Sequence, residues 1–343
     1  MDLPQPADTA RACSAVETFL QPLRGLLSKN VTEVVINRPA EVWTEGRDGW
    51  RIHAMPSLTY DHLRTFATLI ANSTQQTIHE GAPLVAATLP TGERVQAIVP
   101  PAVPAGTVSL TIRKPSKLRF DLHDYEKSGA FDKVLVDADP TRVMEDQLSG
   151  LLAAHRIREF MELAVRSKQN IVISGATGSG KTTAMKALVD LVPSEERLIT
   201  IEDTPELDII KQPNHVRLFY SKDGQGVSRA TPKMLLEACL RMKPDRILLA
   251  ELRSDEAFYF LRNINSGHPG SITSVHATSP RLAIEQLMLL VKESAGGANL
   301  SREDIKHLLF MLVDVVIQFS VVDKARRVTG IYYDPQRKRT LPG

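Results

Sequence analysis

The chain has 343 residues, enough for two domains that each bury a core of their own. Hydrophobic residues make up 43% and charged residues 24%, proportions typical of an ordinary soluble protein. A net charge of only +2 gives no bulk attraction to nucleic acid, and 5% aromatic residues argue against a surface for stacking bases. The two cysteines, Cys13 and Cys239, lie far apart and match no metal-binding spacing.

The first third of the chain has the pattern of a small α+β domain, which we assign to residues 1–113. The predicted helices span 16–27 and 58–70, and the predicted strands span 32–36, 40–44, 94–99 and 108–113. Pro22 is predicted to interrupt the first helix. The apolar stripe of that helix is of a kind that can lie on a membrane, but such a stripe more often packs on its own sheet, and we favour packing.

A charged segment with few sustained apolar patterns follows at residues 114–150, and we predict a long linker with short helical pieces. From residue 151 to 343, apolar strand patterns alternate with helical ones, which predicts a mostly parallel sheet. The predicted strands span 170–174, 197–201, 246–250, 271–275, 313–322 and 328–333, with a helix over 234–242. The longest apolar stretch, 308–319, is too short to span a bilayer, so any membrane contact is peripheral.

Eight residues after the first of these strands match the phosphate-binding pattern G-x-x-x-x-G-K-[ST] without a mismatch, and a helical pattern follows them. Glycines let several backbone N–H groups turn toward one point, and the helix amino terminus adds partial positive charge. A chance glycine-rich turn is the less favoured explanation. The predicted nucleotide-binding residues are Gly175, Ala176, Thr177, Gly178, Ser179, Gly180, Lys181, Thr182 and Thr183.

Two glutamates directly follow apolar strands, at the edge of the sheet where ligands of such folds bind. Nucleotide hydrolysis needs a carboxylate that orients or deprotonates water, and Mg²⁺ needs oxygen ligands. Glu202 is equally suited to capping a turn, and Glu251 to a surface pair with Arg253. We favour Glu202 for the water, and Glu251 together with Thr182 for the metal; the reverse assignment of the two glutamates stays open.

Three further residues are candidates on weaker grounds. His276 follows the strand over 271–275 and can stabilise a γ-phosphate, although a lone histidine is more often structural. Arg94 and Arg113 lie in the amino-terminal domain, and their pattern alone indicates strand-edge surface residues. A phosphoryl-transfer site nevertheless gains from a guanidinium that arrives from another domain or subunit.

Taken in order, these motifs resemble those of the traffic ATPases of type IV secretion systems, within the type II/IV secretion NTPase superfamily. The resemblance covers about residues 20–334. The segments that carry it are 92–94, 100–101, 111–116, 175–182, 198–206, 240–253 and 266–277. It implies an α/β fold: a RecA-like carboxy-terminal domain with a phosphate loop, joined by a long linker to the smaller α+β domain.

The resemblance also implies a homohexameric ring with ATP between the tiers formed by the two domains. It implies that Arg94 and Arg113 reach the γ-phosphate, which reverses the interpretation from pattern alone. It further implies catalysis by Glu202, a place near Mg²⁺ for Glu251, and one near the γ-phosphate for His276. The linker is similar to that of a subgroup in which the carboxy-terminal domain packs under a neighbouring subunit's amino-terminal domain.

The activity implied is Mg²⁺-dependent ATP hydrolysis that powers assembly of a bacterial type IV secretion system and transfer of protein or DNA through it. The protein would be cytoplasmic, peripheral at the inner membrane, and partnered by inner-membrane components of that system, without direct sequence-specific binding of nucleic acid. Two alternatives stay open: a nucleic-acid translocase, and a scaffold that uses ATP only to assemble. The choice between adenine and guanine also stays open, because the sequence shows no base-contact motif.

Overall fold

A six-stranded antiparallel sheet covered by two helices forms the amino-terminal domain. The structure is a computed structural model that describes residues 6–116, 119–134, 142–221 and 226–340. The strand order in this sheet is β3-β2-β1-β6-β5-β4. The elements are α1 (Pro6–Leu27), β1 (Val31–Ile36), β2 (Glu41–Gly46), β3 (Gly49–Ala54), α2 (Tyr60–Ser73), β4 (Leu84–Thr88), β5 (Arg94–Ile98) and β6 (Ser109–Arg113).

The core of this domain explains why α1 is continuous. Val16, Leu20, Leu23 and Leu27 recur at helical spacing and are buried against α2 and the sheet. The prediction that Pro22 interrupts this helix was wrong: Pro22 lies inside it. The proline lacks one backbone N–H, but the buried leucines on either side of it hold the helix in place. The apolar stripe is therefore covered by the domain's own core, as we favoured.

The carboxy-terminal domain is built on parallel strands with helices on both faces. The linker region contributes α3 (Leu122–Lys127), and the domain then contains α4 (Arg142–Ala153), α5 (Ile157–Arg166), β7 (Ile171–Gly175), α6 (Lys181–Val189), β8 (Leu198–Glu202), β9 (His215–Phe219), α7 (Pro232–Cys239), β10 (Arg246–Leu249), α8 (Glu256–Asn265), β11 (Ile272–Val275), α9 (Pro280–Glu293), α10 (Arg302–Leu312), β12 (Val315–Val322), β13 (Ala325–Tyr333) and α11 (Pro335–Thr340). No helix among the described residues is long and apolar enough to cross a membrane.

Two groups of strands make up this sheet, in the orders β10-β8-β9 and β11-β7-β12-β13. Hydrogen bonds between β11 and the residues that follow β10 join them: Leu252 N donates to Ser274 O at 2.8 Å, and Ser274 Oγ donates to Ala250 O at 2.7 Å. With β10 beside β11, the combined order is β9-β8-β10-β11-β7-β12-β13. Within each group the paired strands are parallel, except that β13 runs antiparallel to β12. This order places β11 and β10 on one side of β7 and β12 on the other.

Part of the predicted linker packs against this domain. Residues 117–118 and 135–141 lie outside the described residues. Farther along, α4 places Leu148 in the core with Phe160 and Ile171. The boundary that we predicted between residues 150 and 151 therefore falls inside α4, whose apolar face already belongs to the carboxy-terminal domain.

The two domains meet around a fully buried arginine at the amino ends of β8, β9 and β10. Arg197, just before β8, donates from Nη1 to Asn37 Oδ1 at 2.8 Å and from Nε to Met242 O at 3.0 Å. Asn37 Nδ2 in turn donates to Asn214 Oδ1 at 3.0 Å. Burial lowers the pKa of Arg197 to about 10, against the opposing effect of Asp245. The guanidinium therefore stays charged at neutral pH and depends on these acceptors.

Asn37→Ala should destabilise this interface, because it removes an acceptor from a buried charge. We expect a loss of about 1–3 kcal/mol, measured by urea unfolding of the full chain. Arg38→Ala is the matched control: Arg38 Nη2 donates across the same interface to Pro213 O at 2.6 Å, but from an exposed position. The Arg38→Ala variant should lose less than about 1 kcal/mol in free energy of unfolding. Equal losses for the two variants would contradict the role given to Arg197.

Candidate functional site at the carboxyl ends of the parallel strands

The phosphate loop joins the end of β7 to the start of α6, as the sequence predicts. Gly180 caps α6 with a φ of 97°, a left-handed conformation that favours glycine. At Gly175 a Cβ atom would lie 2.6 Å from Phe319 O on the neighbouring β12, so no larger residue fits. These two glycines bring the loop close to the sheet and turn it toward the amino terminus of α6, which makes it suited to hold an anion.

Lys181 points back into this loop. Its Nζ donates to Gly175 O at 2.8 Å and to Ala176 O at 3.2 Å, and lies 3.3 Å from His276 Nδ1. Burial lowers the pKa of Lys181, and the charge of Glu251 opposes that shift. The ammonium is thus held at the centre of the loop, close to the carboxylate whose charge stabilises it.

A series of polar contacts runs from Lys181 across the strand ends. His276 Nε2 contacts Glu251 Oε1, and Glu251 Oε2 accepts from the Arg253 guanidinium. Arg253 Nη1 also donates to Asp203 Oδ2 at 2.9 Å. The hydrogen bond that Arg253 donates to Glu251 raises the pKa of Arg253. These residues follow β11, β10 and β8, so three strand ends converge on the phosphate loop within one cavity of about 330 Å³.

The donor set at the mouth of the cavity suits magnesium. The Thr182 hydroxyl donates to Glu206 Oε2 at 3.0 Å, and Glu251 lines the same cavity. Hydroxyl and carboxylate oxygens are ligands that Mg²⁺ prefers. Among the described residues, no group of three or more acidic, histidine or cysteine side chains forms a metal cage by itself. That fits an ion which takes much of its shell from phosphates and water.

Glu202 has a different environment from that of Glu251. Its carboxylate is fully buried and accepts hydrogen bonds from the Thr200 hydroxyl at 2.7 Å and from the backbone N–H of Glu206 and of Leu207, both at 2.8 Å. The Arg217 guanidinium donates to both oxygens at 3.1 Å. The carboxylate oxygens are thus occupied in holding the turn after β8 beside Arg217, while Glu251 faces the cavity.

Arg94 and Arg113 line a separate cavity of about 520 Å³, on the amino-terminal domain. Their Cα atoms are partners across β5 and β6, and Leu240 and Arg241 from the end of α7 complete the wall. This wall lies before the amino end of β10, whereas Glu251 lies past its carboxyl end. The two cavities share no lining residue among those that the structure describes. The fold of one chain therefore does not bring these arginines to its own phosphate loop.

The carboxylate beside Arg113 is buried. Arg113 Nε lies 3.3 Å from Glu33 Oε1, and Glu33 is only 1% exposed. Burial raises the pKa of Glu33 to about 7, against the lowering effect of Arg113. The protonation of Glu33 therefore changes near neutral pH, and with it the charge beside Arg113.

Lys181, Glu251 and His276 were predicted from the sequence, and the structure brings them together. Asp203 and Glu206 were not predicted individually, although both stand in the acidic segment after β8. Arg253 was predicted only as a surface partner of Glu251. Arg326 was also missed: it lies on β13, and its Nε donates to Gly178 O at 3.3 Å. Its place depends on the β12–β13 hairpin folding back over the loop, and no local motif marks it.

Comparison with known proteins agrees with this site and fold. A sequence profile of the type II/IV secretion system protein family matches residues 17–326. The type IV secretion system protein VirB11 of Bartonella quintana (strain Toulouse) is 47% identical over 340 residues, covering 96% of this chain and 95% of the relative. The PtlH homolog of Bordetella bronchiseptica is 39% identical over 328 residues, covering 93% and 95%.

A solved structure extends the agreement to three dimensions. The crystal structure of the VirB11 ATPase from the Brucella suis type IV secretion system, in complex with sulphate, superposes with a TM-score of 0.91 at 43% identity, covering 96% of this chain and 98% of that one. The fold and site thus define a P-loop ATPase with a RecA-like domain. The chain belongs to the type II/IV secretion system protein family. The predicted fold class and the predicted traffic-ATPase membership are confirmed.

Glu33→Gln should remove a pH-dependent loss of stability beside the cavity that Arg94 and Arg113 line, which we call the arginine cavity. Because the pKa of Glu33 is raised in the fold, the native state holds the proton more tightly, and the free energy of unfolding falls as pH rises from about 4.5 toward 7. Between pH 6 and 8 the wild type should lose about 1 kcal/mol relative to the variant, which corresponds to a few degrees in Tm. Thermal unfolding of both proteins at the two pH values tests this, and a Tm difference that does not change with pH would contradict it.

Proposed function

We propose that the protein hydrolyses ATP with Mg²⁺ to power assembly of a bacterial type IV secretion system and transfer of protein or DNA through it. It would act as a hexameric ring at the cytoplasmic face of the inner membrane, bound there to membrane components of the system. The observation that carries the proposal is the convergence of Lys181, His276 and Glu251 on a phosphate loop, in a chain similar over its length to type IV secretion proteins. Hydrolysis would move the two domains relative to each other.

Different residues of the cavity would bind the phosphates and the Mg²⁺ ion. Lys181 and the loop N–H groups hold the β- and γ-phosphates, and the position of His276 beside Lys181 Nζ suits contact with the γ-phosphate. The Thr182 hydroxyl and the Glu251 carboxylate would hold Mg²⁺, directly or through water, with Glu206 beside them. When bound, the ion neutralises charge on the β- and γ-oxygens.

The site geometry supports Glu251, and not Glu202, as the residue that orients the attacking water, in addition to its place beside Mg²⁺; this combination is neither of the two assignments that the sequence left open. Glu251 faces the cavity, and its contacts with His276 and Arg253 hold its carboxylate in place. Glu202 acts instead as a positioning residue, because its carboxylate holds the turn that carries Asp203 and Glu206. A carboxylate engaged by those N–H groups has to break several hydrogen bonds before it reaches water in the cavity.

Glu251→Gln should therefore lower kcat by about 10²-fold or more while leaving Tm unchanged, because it removes the carboxylate that acts on water. Glu202→Gln should lower Tm by several degrees, since a glutamine NH₂ group must face N–H or guanidinium donors in a buried site. Steady-state ATP hydrolysis and thermal unfolding of both variants separate the roles. A Glu202→Gln protein of normal Tm and no turnover, beside an active Glu251→Gln protein, would reverse the assignment.

The position of Arg94 and Arg113 supports action on the nucleotide of a neighbouring copy. Both lie on the amino-terminal domain, toward the opposite end of the strands from the phosphate loop of their own chain. A ring in which one chain's arginine cavity faces the next chain's phosphate loop would complete each site between two subunits. That arrangement links hydrolysis to contact between neighbours, as a motor requires.

Mixing two inactive variants tests this directly. Lys181→Ala removes phosphate binding but leaves the arginines, and Arg113→Ala does the opposite, with an arginine worth on the order of 10³–10⁵ in rate. If Arg113 acts between chains, equimolar co-assembly should restore ATP hydrolysis at up to about a quarter of the sites. Lys181→Ala co-assembled with the Lys181→Ala/Arg113→Ala double variant is the matched control and should stay inactive. A mixture no more active than its separate components would refute action between chains.

A further inference from the structure

A row of charged side chains crosses the amino-terminal sheet and ends in the arginine cavity. Glu33 on β1 is the Cα partner of Arg113 on β6, and Arg113 is the Cα partner of Arg94 on β5. On the other side of β1, Glu33 is the partner of Glu45 on β2. Side chains directly opposite each other in neighbouring strands lie on the same face of a sheet. The four residues therefore form one row, in which two carboxylates are followed by two guanidiniums.

Glu33 is the fixed member of the pair that it forms with Arg113. Glu33 is 1% exposed, whereas the Arg113 side chain is 58% exposed. The Arg113 atom that contacts the carboxylate is Nε, 3.3 Å from Glu33 Oε1. A long exposed side chain has many rotamers, and a contact at Nε restricts its stem. Such a contact leaves the two terminal nitrogens, which can clamp a phosphate, to the cavity that Arg113 lines.

The other neighbours of Arg113 repel it. Arg94 lies directly opposite on β5, and Arg241 lines the same cavity, so guanidiniums surround Arg113 on the cavity side. Because β1 and β5 flank β6, the Glu33 carboxylate attracts Arg113 from the side away from Arg94. Ionised Glu33 therefore opposes the displacement of Arg113, whereas protonated Glu33 has no charge with which to do so.

We propose that Glu33 is the positioning residue of Arg113, and that its ionised carboxylate holds the guanidinium in the orientation that reaches the triphosphate of a neighbouring copy. The proposal rests on the action of Arg113 between chains proposed above. Glu33 itself touches no nucleotide in this arrangement. It acts on the rate of hydrolysis only through the orientation of Arg113, since a group displaced by about 1 Å can cost up to ~10²-fold in rate.

The charges around Glu33 come from both domains. Burial raises the pKa of Glu33 to about 7, and Arg113 opposes that shift. Among the other charges, Glu45 raises this pKa, while Lys243 before β10 and Arg197 before β8 lower it. Lys243 Nζ also donates to Glu45 Oε1 at 3.0 Å. As the pH falls through about 7, Glu33 takes up a proton and Arg113 loses the charge that holds it.

Steady-state ATP hydrolysis by the full chain at pH 6 and pH 8 tests this role, because kcat/KM reports ionisations of the free enzyme. Glu33→Gln keeps the shape of the side chain and removes its charge. Relative to the wild type at the same pH, the variant should lose about tenfold in kcat/KM at pH 8 and no more than about twofold at pH 6. Asp48→Asn is the matched control: Asp48 pairs with Arg51 at an exposed turn of the same sheet, and its kcat/KM should equal that of the wild type at both pH values.

Lys243→Met keeps the test decisive if Glu33→Gln fails to fold, since it leaves Glu33 and Arg113 in place. It removes a cation that lowers the pKa of Glu33, so the pH at which kcat/KM reaches half its upper value should rise. A midpoint that does not rise, or a loss in Glu33→Gln that is the same at both pH values, would overturn the positioning role.

Arg113→Ala separates this role from the function on which it rests. Turnover near the wild-type rate in Arg113→Ala would refute the action of Arg113 itself, and the positioning role with it. An inactive Arg113→Ala protein beside a Glu33→Gln protein with wild-type kcat/KM at pH 8 would overturn only the positioning role.

Discussion

The arrangement on which the rest of the site depends is the meeting of parallel strand ends at one glycine loop. Gly175 lets the loop lie directly against β12, and the loop in turn places Lys181 beside the residues that follow β10 and β11. The charges at this site lie near opposite charges: Glu251 acts on Lys181, and Arg253 pairs with Glu251. Because these charges are paired before any phosphate binds, little reorganisation is needed when one arrives.

The same strands connect the nucleotide to the domain interface. β8 begins next to Arg197, which is buried against the amino-terminal domain, and ends at Glu202, which holds the turn lining the nucleotide cavity. β10 is similarly fixed near its start, where Arg246 Nε pairs with Glu196 Oε2 at 2.6 Å. Short, tightly held strands transmit a displacement at one end to the other. In the function proposed above, the sheet would connect hydrolysis to movement of the amino-terminal domain.

The sequence was sufficient where function depends on local pattern. The phosphate loop, the strands before it and after it, and the polar residues at their ends could all be predicted, because residue spacing determines them. The role of Glu202 could not, since it depends on backbone N–H groups of a turn four and five residues away. Nor could Arg326, which a distant hairpin brings to the loop, or β9, whose short half-buried pattern at the sheet edge gives a weak signal.

The arginine cavity is unfavourable for the stability of an isolated chain. Arg94 and Arg113 face each other across two strands, where like charges repel, and Arg241 adds a third guanidinium to the same wall. The described lining residues of that cavity include no carboxylate. Burial raises the pKa of Glu33, which lies behind Arg113, to about 7, so this carboxyl is only partly ionised at neutral pH. Such a cluster costs stability unless an anion enters it. In the ring proposed above, the triphosphate of a neighbouring subunit would be an anion of the right chemistry, and its binding would offset the free-energy cost of the arginine cluster.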